Sequence, residues 1–290
     1  MEYILHIVIM INIYVMLVLS ANLPVGMANL LTMCQAAFYG IGAYIGTYVL
    51  MQFNLPFLLV AAIVMTIVGM FSLLVSFASV KLKGDYFILA TLGFQMIVYT
   101  ILYNWTDVTR GPYGIPGIPS IKLFGVISIS GVFGYFALSL LVAIIVAFLF
   151  LKIKKSPYGR VLKAMRSDEL AVKALGRNTT MFKIQTFCLS AAFSALAGVI
   201  YASYVSYIDP TSFTLDESIF IITALFIGGI GNIKGPILGA VFVVVLPELL
   251  RFVGMPDAIA ANMRQIIYGL VLIAIMFLRP QGLLGENSIK

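Results

Sequence analysis

The chain has 290 residues, of which 62% are hydrophobic and only 10% are charged, and its mean hydropathy is +1.08. Soluble domains carry roughly 25% charged residues, so this composition excludes an ordinary soluble protein and indicates a polytopic membrane protein. The net charge of +7 does not point to nucleic acid, because half of the basic residues lie in one loop between apolar runs, where membrane orientation explains them.

Nine apolar runs are candidates for membrane-spanning helices, each of which needs about 20 residues. The candidate spans are 3–22, 28–50, 56–80, 86–104, 128–151, 184–207, 218–232, 236–250 and 262–278. The seventh and eighth runs are short and close together in the chain. They are either two short spans or one broken hairpin that is partly re-entrant, so the expected number of spans is nine, with eight to ten possible.

Small residues mark the expected packing faces, because they let helix backbones approach each other closely in lipid. The candidates for helix packing are Gly40, Gly42, Gly46, Gly231, Gly235 and Gly239. In addition, Gly26 and Asn29 precede one Gly-rich span much as Gly231 and Asn232 precede another. This echo hints at an internal duplication.

Uncharged polar residues inside the predicted spans are candidates for the lining of a translocation pathway. Thr91 and Gln95 come first, since their i, i+4 spacing puts them on one helix face; the others are Gln35, Tyr39 and Thr223. For each of the polar residues, the alternative interpretation is a hydrogen bond between helices. Ionisable groups at mid-span are scarce, which disfavours a transporter that is driven by a proton or sodium gradient.

Two of the loops that are predicted to lie outside the cell carry candidate contact residues. The loop 105–124 is rich in Gly and Pro, and its Trp105 suits the membrane interface. The loop 208–217 carries acidic and no basic residues. Either loop could receive a soluble extracellular partner, with an ordinary solvated turn as the alternative for the second. The candidates for that contact are Trp105, Arg110, Asp209, Asp216 and Glu217.

The segment 152–183 is the one long polar stretch of the sequence, and it contains nine of the chain's 18 Lys and Arg residues. Ser156 and Pro157 are typical of the start of a helix. Ser167 is expected to cap a second short helix, with Asp168 and Glu169 in its first turn, where carboxylates favour the helix dipole. Gly176 should end that helix. The result is a capped helix whose small apolar stripe could dock into a partner, formed by Leu170, Ala171, Ala174 and Leu175.

The charge distribution predicts the orientation. With nine spans, 14 basic residues fall inside the cell and 4 outside, which places the N-terminus outside and the C-terminus inside by the positive-inside rule. The whole chain, residues 1–290, is expected to form a single transmembrane domain with the loop 152–183 in the cytoplasm.

No metal site, disulfide or catalytic constellation is expected. Cys34 and Cys188 lie in apolar runs without partner spacing, His6 is the one histidine, and no HExxH, CxxC or GxSxG motif occurs. A GxxxxGK[ST] phosphate loop is also missing from the sequence, so uphill transport would need an ion gradient or a separate ATPase.

Several segments together resemble the membrane permeases of branched-chain amino acid ABC importers, a family with relatives for urea and short amides. The segments that carry the resemblance are 22–44, 83–106, 111–119, 158–178, 190–204, 228–240, 246–251 and 279–285. The resemblance implies an all-α permease bundle in the cell (inner or plasma) membrane, with no cofactor of its own and no enzymatic activity. Its partners would be a homologous second permease, two ATPase subunits that bind ATP and Mg²⁺, and a solute-binding protein outside the cell.

The resemblance also implies that the loop 152–183 couples the permease to the ATPase and would sit in a groove of that subunit. The residues that carry over are Tyr158, Gly159, Arg160, Ala164, Arg166, Asp168, Glu169, Leu170, Ala171, Ala174, Leu175 and Gly176. ABC importers in general have a Glu-Ala-Ala triplet, then three further residues, then a glycine that corresponds to Gly176. Here Leu170 begins the corresponding triplet and Glu169 lies one position earlier.

Other interpretations stay open at this point. A permease for urea or short amides is the main competitor within the family. Cys34, Gln35 and Arg110 depart from the family pattern near the expected pathway or outer gate, so they bear on which substrate is carried. An ion-coupled secondary transporter or channel, a membrane enzyme and a purely structural membrane partner are the competitors from other classes.

Overall fold

The computed structural model describes residues 2–252, except for 54, 80, 81, 83, 124–126 and 130, together with scattered positions between 263 and 284. The first helices are α1 (Glu2–Asn22), α2 (Gln35–Phe53), α3 (Phe57–Ser79), α4 (Asp85–Asn104), α5 (Thr106–Thr109) and α6 (Val132–Lys155). They are followed by α7 (Pro157–Ser167), α8 (Glu169–Ala174), α9 (Thr179–Val205), α10 (Leu215–Gly228) and α11 (Lys234–Phe252). A π-helical turn at Leu23–Met27 extends α1, and 3₁₀ turns occur at Gly111–Tyr113 and Pro210–Phe213.

Five helices in the described part of the chain are long and apolar enough to cross a membrane. They are α1 with its π-helical extension, α3, α4, α6 and α9, and they correspond to the predicted spans 3–22, 56–80, 86–104, 128–151 and 184–207. The helical membrane architecture is therefore confirmed. The count of nine spans and the orientation stay predictions, and the span 262–278 falls largely outside the described residues.

The predicted second span, 28–50, is wrong in its first part. Residues 29–34 are not helical, and α2 begins at Gln35. Apolar composition alone predicts a continuous helix here, whereas the structure contains a break in the protein interior.

Helix α9 is the centre of the bundle, where it packs most extensively against α2 and α3 and also contacts α1. Its contact with α2 depends on small residues: a side chain at Gly42 would overlap the backbone of Ala195, and one at Gly198 would overlap the backbone of Tyr39. Gly46 faces Val199 in the same interface, and Gly40 faces the ring of Phe213. Close backbone approach of this kind is how helices associate within lipid.

Helices α10 and α11 form a tight hairpin of two separate elements. Gly235 and Gly239 of α11 meet the backbone of α10 at Gly228 and Ala224. Gly231, the third packing candidate of this region, lies in the turn between the two helices, with φ of +87°. A left-handed backbone at this position is the reason it cannot continue either helix. With 14 residues, α10 is about 21 Å long, which is shorter than the roughly 30 Å apolar core of a bilayer.

Two short antiparallel ladders lie at the end of the bundle opposite α7 and α8. Strand β1 (Ile115–Pro116) pairs with β4 (Tyr207–Ile208), and β2 (Lys122–Leu123) pairs with β3 (Ile127–Ser128). The first ladder joins the loops that follow α5 and α9, so the two loops predicted separately from the sequence form one surface.

Candidate functional site: the coupling segment and the broken spans

We use "coupling segment" for residues 157–176, which contain α7 and α8. Helix α7 begins as the sequence predicts, because the Ser156 hydroxyl accepts a hydrogen bond from the Gly159 amide at 3.2 Å and Pro157 occupies the first turn. Its apolar face buries Leu162 and Met165 against the bundle. The helix therefore lies on the end of the bundle as an anchored element.

The cap of α8 is Asp168, so the prediction of Ser167 is wrong by one residue. One Asp168 carboxylate oxygen accepts from the amides of Leu170 and Ala171 at 2.8 and 3.0 Å. Helix α7 continues through Ser167, whose hydroxyl is turned back to the Lys163 carbonyl. Asp168 has an extended backbone, with φ of −154°, and can therefore cap the next helix.

Gly176 ends α8 as predicted. Its φ is +77°, its amide donates to the Lys173 carbonyl at 2.9 Å, and the Arg177 amide donates to the Val172 carbonyl at 3.3 Å. This pair of bonds is the Schellman arrangement, in which glycine accepts the left-handed backbone without steric cost. The coupling segment thus has defined caps at both helices.

Glu169 ties α8 to α9. Its carboxylate accepts from Lys183 Nζ at 2.7 Å, from Lys173 Nζ at 3.0 Å and from the Thr179 hydroxyl at 3.1 Å. Burial raises the pKa of the Glu169 carboxyl, but the hydrogen bonds from Lys183, Lys173 and Thr179 outweigh it and bring the pKa down to about 2. The carboxylate is therefore charged at neutral pH and joins the short helix to the central one.

The opposite side of α8 is apolar and faces water. Leu170 and Leu175 are 71% and 81% exposed, and Ala171 and Ala174 beside them are exposed as well. Val172 on the inner side is buried. A helix that is bonded to the bundle on one side and exposes apolar side chains on the other is suited to docking with a partner protein.

Helix α7 is joined to two other parts of the bundle. The Tyr158 ring stacks on Phe182 of α9 with centroids 5.4 Å apart, and its hydroxyl lies 2.7 Å from the Thr186 hydroxyl. Burial raises the pKa of Tyr158 to about 12, so the phenol is protonated. Arg166 is half-buried, which lowers the pKa of its guanidinium, and it donates to the Gly26 carbonyl in the π-helical turn. A movement of α7 would therefore displace the π-helical turn at the end of α1.

The break before α2 is stabilised by side chains from other helices. The first amides of a helix lack partners within it. Here the Ala36 amide donates to the Ser218 hydroxyl at 3.0 Å, and the Ala37 amide donates to Gln95 Oε1 at 2.6 Å. The Met33 amide donates to the Thr91 hydroxyl at 3.1 Å. A non-helical segment inside a membrane protein is tolerated only when its backbone is satisfied in this way.

A second break, between α10 and α11, is joined to the end of α1 through two asparagines. Asn22 accepts from the Gly231 amide at 3.0 Å and donates to the Asn232 carbonyl at 2.7 Å. Asn232 in turn accepts from the Gly235 amide at 2.8 Å and donates to the Leu284 carbonyl. Neither asparagine is among the residues predicted for a site, although the echo between Gly26–Asn29 and Gly231–Asn232 is a signal for this junction. Paired broken spans are a common form of transporter core.

The five residues predicted to line the pathway are all buried within the subunit. Gln95 and Thr91 cap the broken segment, and Gln95 also donates to the Phe213 carbonyl at 2.9 Å. Gln35 bonds to Ser190 and Ser194 of α9, at 2.8 Å each. Tyr39 packs on aromatic rings, and Thr223 is also buried. In this conformation they hold helices together, which is the alternative interpretation of their sequence pattern, and none of them faces an open path.

The residues predicted for an outer contact have different environments. Trp105 is 53% exposed at the end of α4, and Arg110 is exposed with a left-handed backbone, φ of +59°. Asp209 instead caps the turn Pro210–Phe213 by accepting from Ser212 and Thr211. Asp216 is exposed, and Glu217 is half-buried and accepts from Tyr14. Asp216 and Glu217 line one cavity of about 470 Å³, so only part of the acidic group is available at the surface.

Among the described residues, no group of three or more His, Cys, Asp or Glu side chains could hold a metal ion. What the described residues form is an arrangement of helix breaks, internal hydrogen bonds and an exposed apolar face on α8.

Comparison with known proteins gives a consistent result. A family model described as "Branched-chain amino acid transport system / permease component" matches residues 3–276. Two proteins named high-affinity branched-chain amino acid transport system permease protein LivM are similar over 94% of the chain and 68% of their own length, with 34% identity for Salmonella typhimurium and 33% for Escherichia coli. An autoinducer 2 import system permease protein LsrC from Salmonella typhimurium is 27% identical over 90% of the chain and 71% of its own length.

No solved structure matches the chain. The family match covers nearly all of the helical bundle, including both broken spans and the coupling segment. The chain belongs to the family of permease components of branched-chain amino acid transport systems.

Proposed function

We propose that this chain is the membrane-spanning permease subunit of an ABC importer that carries branched-chain amino acids into the cell. The observation that carries the proposal is the coupling segment, which offers an apolar docking face on one side and is bonded to the broken-span core on the other. The relatives named LivM support this class of substrate.

The proposed arrangement in the membrane has nine spans, with the N-terminus outside and the C-terminus inside. Residues 1–290 form one permease domain, and the loop 152–183 lies in the cytoplasm. The bias of basic residues towards that side supports this orientation.

The proposed partners supply what this chain lacks. Two ATPase subunits bind ATP and Mg²⁺ and receive α8 in a groove, a homologous permease completes the pathway, and a solute-binding protein delivers the substrate outside. The surface formed by the loops after α5 and α9, with Trp105, Arg110 and Asp216 exposed on it, is the proposed contact for the binding protein.

In the proposed mechanism, closure of the ATPases moves α8, and Glu169 passes that movement to α9 through Lys183. Arg166 passes it to the π-helical turn through Gly26. Because Gln35 at the start of α2 is bonded to α9, a tilt of α9 pulls on the first break. The substrate path then opens along surfaces that are closed in this conformation, with Gln35, Tyr39, Thr91, Gln95 and Thr223 as its proposed lining.

The test is reconstitution of this chain with its cognate permease, ATPases and binding protein, followed by uptake of radiolabelled leucine. We expect uptake that requires ATP, that excess isoleucine or valine inhibits, and that urea leaves unchanged. Inhibition by urea would assign the chain to the urea and amide relatives. Uptake that persists without ATP would contradict the proposed class altogether.

A further inference from the structure

A wide apolar groove lies between α3, α6 and α9, close to the coupling segment. It has a volume of about 800 Å³, and its walls include Met65, Gly69, Leu73, Leu149, Ile184 and Leu189. Ser156 and Tyr158 lie at the end of the groove nearest the coupling segment. The groove therefore reaches from the apolar interior of the bundle to the level where α6 ends.

The helices beside the groove face lipid. On α3, Met70, Leu74 and Phe77 are each about two-thirds exposed, and on α6, Ile144 and Phe148 are exposed to a similar degree. Exposed apolar surface of this extent marks contact with a membrane or with another protein, and on helices long enough to span a bilayer it fits contact with lipid. A groove that opens between two lipid-facing helices is accessible to acyl chains directly from the bilayer.

The end of the groove is positively charged. Lys152 lines it and is exposed, and in the part of the chain that the structure describes no carboxylate forms a salt bridge with it. The neutral groups Ser156 and Gln185 lie along the same lining. A lysine at the headgroup level of the inner leaflet attracts anionic lipids, and basic pockets between helices on the cytoplasmic side hold their headgroups.

We propose that this groove is a binding site for an anionic phospholipid, with one acyl chain between α3 and α9 and the phosphate on Lys152. A zwitterionic lipid could fill the apolar part, but its headgroup would carry no net charge to pair with the lysine. The inner-leaflet placement rests on the orientation proposed above. The binding itself is tested without any measurement of transport.

The experiment is native mass spectrometry of the assembled transporter after exchange into mixed phosphatidylglycerol and phosphatidylcholine nanodiscs. We expect the parent to retain phosphatidylglycerol preferentially, and Lys152→Gln to lower that preference about five-fold, the loss expected for one lysine near an anionic headgroup. Lys155→Gln is the matched control, because Lys155 is exposed on the same helix but lies outside the groove lining.

A second variant tests the apolar part of the site. A Cβ at Gly69 would have only the Cys188 carbonyl nearby, 3.9 Å away, so Gly69→Leu should fold and fill the groove. It is expected to lower retention of both lipids, while Gly93→Leu, with open space around Gly93, should not. The proposal is wrong if the parent transporter retains both lipids equally, or if both groove variants retain them as the parent does.

Discussion

Lys183 Nζ lies 2.7 Å from Glu169 Oε2, and this ion pair joins a six-residue surface helix to the longest helix of the bundle. Lys183 is almost fully buried, whereas Glu169 is partly open to solvent. The pair therefore connects the outermost element of the coupling segment with the centre of the fold.

Glu169→Gln should impair coupling far more than folding. The Gln side chain can still accept a hydrogen bond from Lys183, and position 169 is partly open to solvent, so the unfolding temperature in detergent should fall much less than uptake does. ATP-driven uptake should fall at least ten-fold, because α8 is no longer fixed to α9. Uptake and the ATPase rate of the same reconstituted sample measure the two effects; equal losses in folding yield and uptake would contradict a positional role.

The pH dependence of the same pair has a definite sign. The pKa of Glu169 is about 2 in the folded protein, against an ordinary value of 4.5, so the carboxylate stabilises the fold fully above pH 4.5 and loses that contribution as the pH falls towards 2. The difference in unfolding temperature between the parent and Glu169→Gln should therefore be constant from about pH 8 to 5 and shrink only below that range. A difference that changes near neutral pH would contradict the assigned ionisation.

Leu175→Asp and Ala174→Asp should prevent association with the ATPase, because each puts a charge into the apolar face that would be desolvated on docking. We expect both variants to insert into the membrane normally and to lose at least nine-tenths of the ATPase in copurification. Thr180→Asp is the matched control, since Thr180 is exposed on the first turn of α9, where an acid is favourable. Normal copurification of the ATPase with both variants would exclude the coupling role of α8.

Gln95→Leu should destabilise the bundle, since it leaves the Ala37 amide and the Phe213 carbonyl without their partner. Each buried polar group left unsatisfied costs about 1–3 kcal/mol. A clear fall in the thermal unfolding temperature in detergent is expected, while Thr100→Ala on the exposed side of α4 should change little. If Gln95→Leu unfolds at the parent's temperature, the side chain does not cap α2.

Gly42→Leu should disrupt the contact between α2 and α9, because its side chain would overlap the backbone of Ala195. Overpacking costs about 1–3 kcal/mol where side chains can yield, and backbone yields less. We expect a large loss of monodisperse protein by size-exclusion chromatography. The same substitution at Gly93, where there is open space, should be tolerated; a well-folded Gly42→Leu variant would mean that the two helices can separate.

The two ends of the coupling segment were predictable from the sequence, because the residues that cap them are adjacent to the helices they cap. Ser156 and Pro157 start α7, and Gly176 ends α8. The choice between Ser167 and Asp168 was not, because adjacent residues are both good caps and the length of α7 decides between them.

The break before α2 could not be predicted in the same way. Residues 28–34 are mostly apolar, and the acceptors that permit the break are on α4 and α10, far away in the chain. For the same reason, Gln95 and Thr91 are equally suited to a pathway or to a helix contact until their partners are known. The partner of Glu169 was likewise uncertain, since nine basic residues surround it in the sequence.

The exposure of Leu170 in α8 and of Leu175 directly after it has a consequence for how long the subunit persists in the cell. Burying a leucine side chain is worth about 1.5–3 kcal/mol, so in the proposed arrangement a subunit made without its ATPase would expose this apolar surface to the cytosol. Chaperones and membrane proteases recognise such surfaces, and an orphan copy would be removed faster than an assembled one. The supply of ATPase is therefore expected to set the amount of this permease that accumulates in the membrane.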